Sequence, residues 1–242
     1  MNIVLFEPSE IGPPLPLLDP RSRHITKVLR RDLRDFFDVG LINGPRGKAQ
    51  IVKMGNDGLH LEFNWDQPHP PDTVTKLAIG FPRPQTARDI LRDATSIGVG
   101  ELSFIRTNRS DPNYANSSLW SNGEWRRQTI TGAAQAFDTF IPEVRRHEHL
   151  AETVERWIAN GVKAVALDLY DCTLGLAQYL EINTANLPNA VLIGPERGWD
   201  DADRAILNTQ RIPRLHLGPR VLRTETAVAV TLGLLHAAVA RA

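Results

Sequence analysis

Two glycine-bearing loops near the end of the chain hold the residues best suited to chemistry. The first reads Ile193-Gly194-Pro195-Glu196-Arg197-Gly198-Trp199, and the second reads Leu217-Gly218-Pro219-Arg220-Val221-Leu222-Arg223-Thr224-Glu225-Thr226. Each loop closes an apolar, strand-like run and opens a helix-like one. Glycine permits close backbone approach and a helix start leaves N–H groups unpaired, so the main chain of such loops can cradle a ligand. Two of them in tandem predict one composite pocket.

Four charged side chains in these loops are candidates for acid–base or electrostatic catalysis. Glu196 and Glu225 can act as bases, and Arg220 and Arg223 can stabilise negative charge or bind phosphate. Structural roles remain open for all four, because Glu196 can cap the helix after its loop, Glu225 suits the first turn of the last helix, and the arginines can pair with these acids. Neither loop contains a Gly-Lys-Ser/Thr phosphate cradle or a G-x-G-x-x-G dinucleotide pattern, which argues against ATPase and nicotinamide-dependent activities.

The composition is that of an ordinary globular protein of one or two domains. Its 242 residues are 42% hydrophobic and 23% charged, and the zero formal net charge argues weakly against binding nucleic acid through bulk charge. No run approaches the roughly 20 apolar residues that span a bilayer, and residues 1–8 do not resemble a signal peptide. The single cysteine, Cys172, and the lack of His or Cys clusters with metal-ligand spacing point to a reducing compartment. We therefore expect a cytosolic protein with no membrane or metal partner.

A local concentration of positive charge lies between residues 21 and 34. Its only acid is Asp32, and its cations are Arg21, Arg23, Lys27, Arg30, Arg31 and Arg34. Positions 23, 27, 30, 31 and 34 have helical spacing, and the opposite face carries Ile25, Val28, Leu29 and Leu33. The segment therefore predicts an amphipathic helix, whose basic stripe either is simply solvated or contacts phosphate.

The first part of the chain is expected to form a small antiparallel sheet. Short apolar runs at residues 39–42, 49–54 and 59–63 are separated by glycine-bearing turns. The Pro68-His69-Pro70-Pro71-Asp72 cluster then interrupts regular structure, because proline cannot continue a helix or a central strand. We place a domain boundary there, with residues 1–70 in the first domain and residues 71–242 in the second.

The second domain is expected to alternate strands and helices, which indicates an α/β fold with a mainly parallel sheet. Predicted strands cover residues 74–81, 102–105, 162–169, 190–193 and 213–217. Predicted helices cover residues 86–97, 124–137, 149–160, 174–180, 200–209 and 224–240. Thr224 is the expected N-cap of the last helix, and Trp199 is expected to pack behind its loop. The last helix is apolar on nearly every side, so we expect it to be buried against the sheet or a second subunit.

The two loops resemble those of the RsmE-type ribosomal RNA uridine N3-methyltransferases, S-adenosylmethionine-dependent enzymes of the SPOUT class. In that family the loops read roughly G-P-E-G-G and L-G-x-R-I-L-R-x-E-T-A, against Gly194-Pro195-Glu196-Arg197-Gly198 and Leu217-Gly218-Pro219-Arg220-Val221-Leu222-Arg223-Thr224-Glu225-Thr226-Ala227 here. The family's H-x-x-x-V-L-R segment is matched by His24-Ile25-Thr26-Lys27-Val28-Leu29-Arg30. The resemblance therefore extends over the whole chain.

This resemblance implies a fold, an assembly and a set of binding residues. Residues 1–70 are expected to form a small β-rich, PUA-like RNA-binding domain, and residues 71–242 a SPOUT domain with a trefoil knot, in a homodimer. The catalytic candidates are Glu196, Arg220 and Arg223. The residues expected to hold S-adenosylmethionine are Leu192, Ile193, Gly194, Pro195, Glu196, Gly198, Leu217, Gly218, Val221, Leu222 and Thr226. The residues expected to contact RNA are Arg21, Arg23, Lys27, Arg30, Arg31, Arg34 and Arg83.

Two residues and one five-residue segment depart from the family pattern. Arg197 replaces the second glycine of G-P-E-G-G, and arginine is strained wherever the backbone requires a positive φ. Ala134-Gln135-Ala136-Phe137-Asp138 stands where the family has E-Q-S-G-R or E-Q-C-G-R. Arg83 stands where the family has a lysine, which keeps the charge but not the compact ammonium geometry.

The leading hypothesis is an S-adenosylmethionine-dependent methyltransferase that acts on N3 of a uridine in small-subunit ribosomal RNA. One alternative is a non-catalytic RNA-binding or ribosome-assembly protein of the same fold. The other is a methyltransferase for a different RNA position. Cofactor binding separates the enzyme hypotheses from the non-catalytic one, and the modified nucleoside separates the two enzymes.

Overall fold

The structure is a computed structural model that describes residues 3–68 and 74–241, with His147 described by its backbone alone. Its strands are β1 (Val4–Phe6), β2 (Phe36–Leu41), β3 (Arg46–Gly55), β4 (Gly58–Gln67), β5 (Lys76–Gly80), β6 (Glu101–Arg106), β7 (Glu143–His149), β8 (Ala164–Leu167), β9 (Ala190–Ile193) and β10 (Arg214–Leu215). Its helices are α1 (Pro20–Arg23), α2 (Pro84–Ile97), α3 (Ser118–Ser121), α4 (Glu124–Gln135), α5 (Leu150–Ala159), α6 (Leu176–Ile182), α7 (Asp201–Thr209) and α8 (Thr224–Val239).

These elements form two compact units. The first comprises Met1–Asp72 and Ile130–Ile141, and the second comprises Thr73–Thr129 and Pro142–Ala242. The boundary predicted between residues 70 and 71 lies outside the described residues.

The first unit is built on a four-stranded sheet in the order β1-β2-β3-β4. The predicted antiparallel pairing of β2, β3 and β4 is confirmed. β1 was not predicted from the sequence, and it runs parallel to β2. Alternate residues of these strands face one core, because successive side chains of a strand point to opposite faces. The fully buried members of that core include Val39, Ala49, Ile51 and Leu59.

The segment Ile130–Ile141 completes the first unit. Ile3 N–H donates to the Ala134 carbonyl at 3.2 Å, and Thr139 Oγ1 donates to the Gly44 carbonyl at 2.7 Å. Apolar residues of the segment, including Ala133 and Ile141, are buried with Ile3, Leu5 and Ile42. No sequence pattern indicated this association, because it joins residues that are far apart in the chain.

The predicted amphipathic helix over the basic segment is wrong. α1 ends at Arg23 and is followed by a single π-helical turn, His24–Val28. The chain then leaves the helix, because Arg30 (φ 54°) and Arg34 (φ 71°) have left-handed backbones. A π turn is wider than an α turn and breaks the assumed spacing, so Val28 is 65% exposed instead of lying on a buried face.

The basic side chains of this segment fall into two groups. Arg21 donates all five of its guanidinium N–H groups, to the carboxylates of Asp19 and Glu10 and to the Leu5 carbonyl. It therefore has no donor left for phosphate, contrary to its predicted RNA contact. The remaining five are exposed and make no ion pair with a described residue: Arg23, Lys27, Arg30, Arg31 and Arg34.

The second unit contains a six-stranded parallel sheet in the order β10-β8-β9-β5-β6-β7, which confirms the predicted α/β fold. β5 lies inside the sheet, where Ile79 pairs with Phe104 of β6 and Ile193 of β9. Strands buried on both faces are continuously apolar, which made β5, β6, β8 and β9 predictable. The edge strand β7 was missed, because its sequence is largely charged.

Helices cover both faces of this sheet. α2, α6 and α8 pack on the face that carries Leu77 and Ile79, and α5 and α7 pack on the face that carries Ala78 and Leu192. α8 contacts α2, α6 and β9, and its buried residues include Leu232. Of the two covers predicted for the last helix, the sheet or a second subunit, the structure shows the sheet layer on one face of α8. In the described part of the chain, no helix is both long enough and apolar enough to cross a bilayer.

Candidate functional site

The carboxyl ends of four neighbouring parallel strands surround one cavity in the second unit. The loops that follow β5, β8, β9 and β10 line it, and its volume is about 660 Å³. Small-molecule sites usually measure roughly 300–1,000 Å³, and open α/β sheets bind ligands at this edge. Among the described residues, no group of three His, Cys, Asp or Glu side chains is placed to hold a metal ion.

The first glycine loop, residues 193–199, lies against the end of β5. Gly198 N–H donates to the Pro195 carbonyl at 2.7 Å and closes a tight turn, in which Gly198 has a φ of 68°. Pro195 packs on Gly80, the last residue of β5, where an added Cβ would lie 2.5 Å from Pro195 Cδ. Sequence reasoning missed Gly80, although a glycine in a buried strand often marks such a close backbone approach. Trp199 is buried behind the loop and donates Nε1–H to the Leu167 carbonyl at 2.8 Å, which confirms its predicted packing.

Glu196 ties the first loop to the start of α2. Its Oε1 accepts the backbone N–H of Arg83, the N-cap residue of α2, at 2.8 Å. The alternative in which Glu196 caps α7 is wrong, because Asp200 and Asp203 form the capping box of α7. A carboxylate at a helix N-terminus is stabilised by the helix dipole, so this contact gives Glu196 a structural role at the cavity wall.

Arg197 occupies its position without left-handed backbone strain. The positive φ of this turn falls on Gly198, and Arg197 is not among the described non-glycine residues with positive φ. Arg109 Nη1 donates to the Arg197 carbonyl at 2.9 Å, and Asn108 Nδ2 donates to Asp200 Oδ2 at 2.8 Å. The loop after β6 thus supports the first glycine loop, and the Arg197 side chain stays exposed at the cavity.

The loop after β8 contributes a charged anchor that sequence reasoning missed. Asp168 is buried, and its Oδ2 accepts Arg204 Nε–H at 2.8 Å and Arg214 Nη1–H at 3.0 Å. Its Oδ1 accepts the backbone N–H groups of Leu169 and Tyr170. Burial disfavours the charged carboxylate, but these hydrogen bonds outweigh it and hold the pKa of Asp168 below its usual value. Asp168 therefore fixes the cavity wall as an ionised, paired group.

The second glycine loop leads directly into α8. The N-cap of α8 is Arg223, and Thr224 is the first helical residue and is buried, so the predicted N-cap at Thr224 is wrong. Glu225 lies in the first turn of α8 and lines the cavity. Val221 also lines the cavity and is 81% exposed. Covering an apolar side chain this exposed is favourable, so Val221 suits contact with a ligand.

Four arginines in the cavity wall have exposed guanidinium groups. They are Arg83, Arg197, Arg220 and Arg223, and none of them forms an ion pair with a described residue. Asp168 does not offset them, because Arg204 and Arg214 already pair with it, and the other two acids of the cavity wall, Glu196 and Glu225, are fewer than the four arginines. Clustered unpaired cations raise the local concentration of anions, so the cavity mouth suits a polyanionic ligand.

Most of the residues predicted for the site meet in this cavity. They are Arg83, Ile193, Gly194, Pro195, Glu196, Gly198, Leu217, Arg220, Val221, Leu222 and Arg223. Three predicted cofactor residues do not line it. Leu192 is fully buried in the core beside α5 and α7, Gly218 turns its N–H toward His216, and Thr226 is exposed on α8. The cavity also includes Thr86, in the first turn of α2, and residues 167–170, at the end of β8 and in the loop after it, none of which carried a glycine signal.

Comparisons with known proteins give consistent similarities. Residues 69–236 match the model of the RNA methyltransferase domain family. A ribosomal RNA small subunit methyltransferase E from Treponema pallidum is 31% identical over an alignment that covers 98% of this chain and 92% of the relative. A ribosomal RNA small subunit methyltransferase E 1 from Borreliella burgdorferi is 24% identical over 94% of both chains. The solved structure of a ribosomal RNA small subunit methyltransferase E from Neisseria gonorrhoeae, bound to S-adenosyl methionine, gives a TM-score of 0.75 at 17% identity over 97% of both chains.

Proposed function

Because the chain belongs to the ribosomal RNA small subunit methyltransferase E family of RNA methyltransferases, we propose that it methylates N3 of a uridine in small-subunit ribosomal RNA. S-adenosylmethionine is the methyl donor, and the solved methyltransferase E from Neisseria gonorrhoeae is bound to this compound. The enzyme is thus a ribosomal RNA methyltransferase, and the choice of uridine N3 is the finer part of the proposal.

The observation that carries this proposal is the composition of the cavity. Its walls combine backbone from two glycine loops with exposed apolar surface, and its rim carries four arginines without ion-pair partners among the described residues. Backbone N–H and carbonyl groups with nearby apolar surface suit a nucleoside-containing cofactor. Unpaired guanidinium groups suit the phosphates of RNA. The cavity therefore offers suitable contacts to both ligands of an RNA methyltransferase, the cofactor and the RNA.

The residues present fit S-adenosylmethionine. Gly194 and Gly198 lack side chains that would cover their main-chain groups, and Val221 offers an exposed apolar surface. We assign cofactor contacts to residues of both loops that line the cavity: Ile193, Gly194, Pro195, Glu196, Gly198, Leu217, Val221 and Leu222. Bound there, the cofactor supplies an activated methyl group on a sulfonium.

The protein's own task is to orient the acceptor nitrogen and to manage its proton. Orientation supplies much of the rate in a displacement between two bound reactants. Uridine N3 carries a weakly acidic proton, so Arg220 and Arg223 are assigned to stabilise the negative charge that develops when it leaves. Glu225 is the better placed of the two candidate bases, because Glu196 already accepts the N–H of Arg83.

We assign RNA positioning to the first unit as well. Residues 1–70 are proposed to form a PUA-like domain, supported by the β-rich sheet and by exposed cations at Arg23, Lys27, Arg30, Arg31 and Arg34. Phosphate contacts from such side chains fix register without reading sequence. Arg23 lies in α1 and Lys27 in the π-helical turn, whereas Arg30, Arg31 and Arg34 follow in a loop with left-handed residues, so the cations do not share the single helix face that was expected.

A homodimer and a trefoil knot are also proposed for the second unit. α8 exposes the small or apolar residues Ala229, Val230, Gly233 and Ala237, which recur at helical spacing on its outer side. A second copy of the chain is the proposed cover for this face. The proposed knot is supported by the path of the chain, which passes from the sheet edge at β10 along the cavity to pack as α8 against α2.

The proposal is tested by methyl transfer in vitro. Purified protein is incubated with S-adenosylmethionine and small ribosomal subunits, and the digested RNA is searched for N3-methyluridine by mass spectrometry. Glu225→Gln should slow transfer about 100-fold without weakening cofactor binding, since a general base contributes on the order of 10²–10⁴ in rate. Glu155→Gln, on the exposed part of α5, is the matched control. Tight cofactor binding with no RNA product would favour the non-catalytic alternative.

A further inference from the structure

His216 lies between the sheet edge and the second glycine loop and has no part in the function proposed above. It follows β10, and its main chain pairs with the segment that opens α6. His216 N–H donates to the Leu174 carbonyl at 3.1 Å, and Leu176 N–H donates to the His216 carbonyl at 2.9 Å. The backbone of His216 is thus fixed on both sides before the chain enters the cavity.

The imidazole of His216 holds the next turn. Gly218 N–H donates to His216 Nδ1 at 3.0 Å. Because the backbone N–H is the donor, Nδ1 must carry no proton, and the neutral ring carries its proton on Nε2. Gly218 has a φ of 111°, so the hydrogen bond secures a backbone conformation that side-chain-bearing residues rarely adopt. The ring also packs beside Gly175, where an added Cβ would lie 3.3 Å from His216 Cε1.

This hydrogen bond has no substitute in the loop. Among the residues that the structure describes, it is the one hydrogen bond in which residues 217–222 take part. The same stretch supplies Leu217, Arg220, Val221 and Leu222 to the cavity wall. Leu217 and Leu222 pack on the core, but apolar contacts are non-directional and do not orient a backbone. The direction of the loop therefore depends on one acceptor atom.

We propose that His216 is a positioning residue, whose unprotonated Nδ1 holds the second glycine loop in the shape that binds S-adenosylmethionine. The affinity part of this inference rests on the proposed function, whereas the effect on loop order does not. Leaving a backbone N–H without its acceptor costs about one hydrogen bond, which corresponds to roughly tenfold in an equilibrium constant.

The test compares His216→Leu with His216→Asn in the full-length protein. Asparagine places an acceptor oxygen near the position of Nδ1, whereas leucine keeps the bulk without an acceptor. Hydrogen exchange of the Gly218 backbone amide, measured without cofactor, should quicken about tenfold in the leucine variant and stay near wild type in the asparagine variant. Calorimetric affinity for S-adenosylmethionine should follow the same order.

The outcomes separate the positioning role from the cofactor assignment. Equal exchange in all three proteins, or equal acceleration by leucine and asparagine, would overturn the role of Nδ1. The positioning role is supported if exchange is slow in wild type and in the asparagine variant and fast in the leucine variant. This holds even if the wild-type protein failed to bind S-adenosylmethionine. That last failure would count against the proposed function alone.

Discussion

Replacing Asp168 by asparagine removes the buried anion that holds two half-buried arginines, Arg204 and Arg214, beside the cavity. The Asp168 side chain is 4% exposed, and those of Arg204 and Arg214 are each 14% exposed. Removing one partner from a buried ion pair costs about 3–5 kcal/mol, because the opposite charge is left without its compensating partner. A change of 1 kcal/mol shifts the melting temperature of a unit of this size by about 2–4 °C, so Asp168→Asn should lower it by roughly 6–20 °C. Differential scanning calorimetry measures the shift.

A second contact of Arg204, one of these two arginines, provides a matched control for the effect of burial. Arg204 Nη1 also contacts Asp201 at 3.3 Å, but the Asp201 side chain is fully exposed. An exposed pair contributes about 0–1 kcal/mol, so Asp201→Asn should lower the melting temperature by less than about 4 °C. Equal shifts for the two variants would refute the reasoning that burial gives Asp168 its importance.

The difference in stability between wild type and Asp168→Asn should depend on pH in a definite direction. The folded protein depresses the pKa of Asp168 below its usual 3.8, so the stabilisation is fully present above that value. It is lost as the pH falls through the depressed pKa of the folded state. The gap between wild type and Asp168→Asn should therefore be complete at neutral pH and should shrink in acid below about pH 4.

Three further predictions follow from other parts of the structure. Gly218→Val should abolish measurable cofactor binding, because Gly218 has a φ of 111° and valine is strained there; calorimetry showing wild-type affinity would contradict this. Replacing Arg30 and Arg31 together by glutamine should reduce the slope of log affinity for RNA against log salt by about 2, with cofactor affinity as the control; an unchanged slope would exclude both from phosphate contacts. Glu101 is buried, but hydrogen bonds from Arg156, Lys76, Ser103 and Trp157 outweigh burial and lower its pKa from 4.5 to about 2. The difference in stability between wild type and Glu101→Gln should therefore be about 3 kcal/mol above pH 4.5 and should vanish as the pH falls toward 2. Acid titrations measure this difference, and a difference that does not change with pH would contradict the prediction.

Features that depend on neighbouring residues were predictable from the sequence. The apolar runs of β5, β6, β8 and β9 and the periodic helix α2 each carry their signal within a short window. The second glycine loop was recognisable for the same reason, since its ten residues form one continuous motif. The cavity then follows, because parallel strands bring the loops at their carboxyl ends together.

Features that depend on distant residues were not predictable. Asp168 gains its role only when Arg204 and Arg214 fold back onto it, and Gly80 matters only because Pro195 arrives against it. The helix predicted for the basic segment, residues 21–34, was wrong for a different reason. Its spacing fits an α-helix, but the backbone forms a π turn and then left-handed residues, so regular spacing did not predict which side chains are buried.

The central claim is that this enzyme methylates N3 of a uridine in small-subunit ribosomal RNA. The most direct measurement is mass spectrometry of nucleosides and RNA fragments from small ribosomal subunits of cells that carry or lack the gene for this chain. We predict that one N3-methyluridine is present with the gene, absent without it and restored by the wild-type protein. An identical set of modified nucleosides in both cells would contradict the claim.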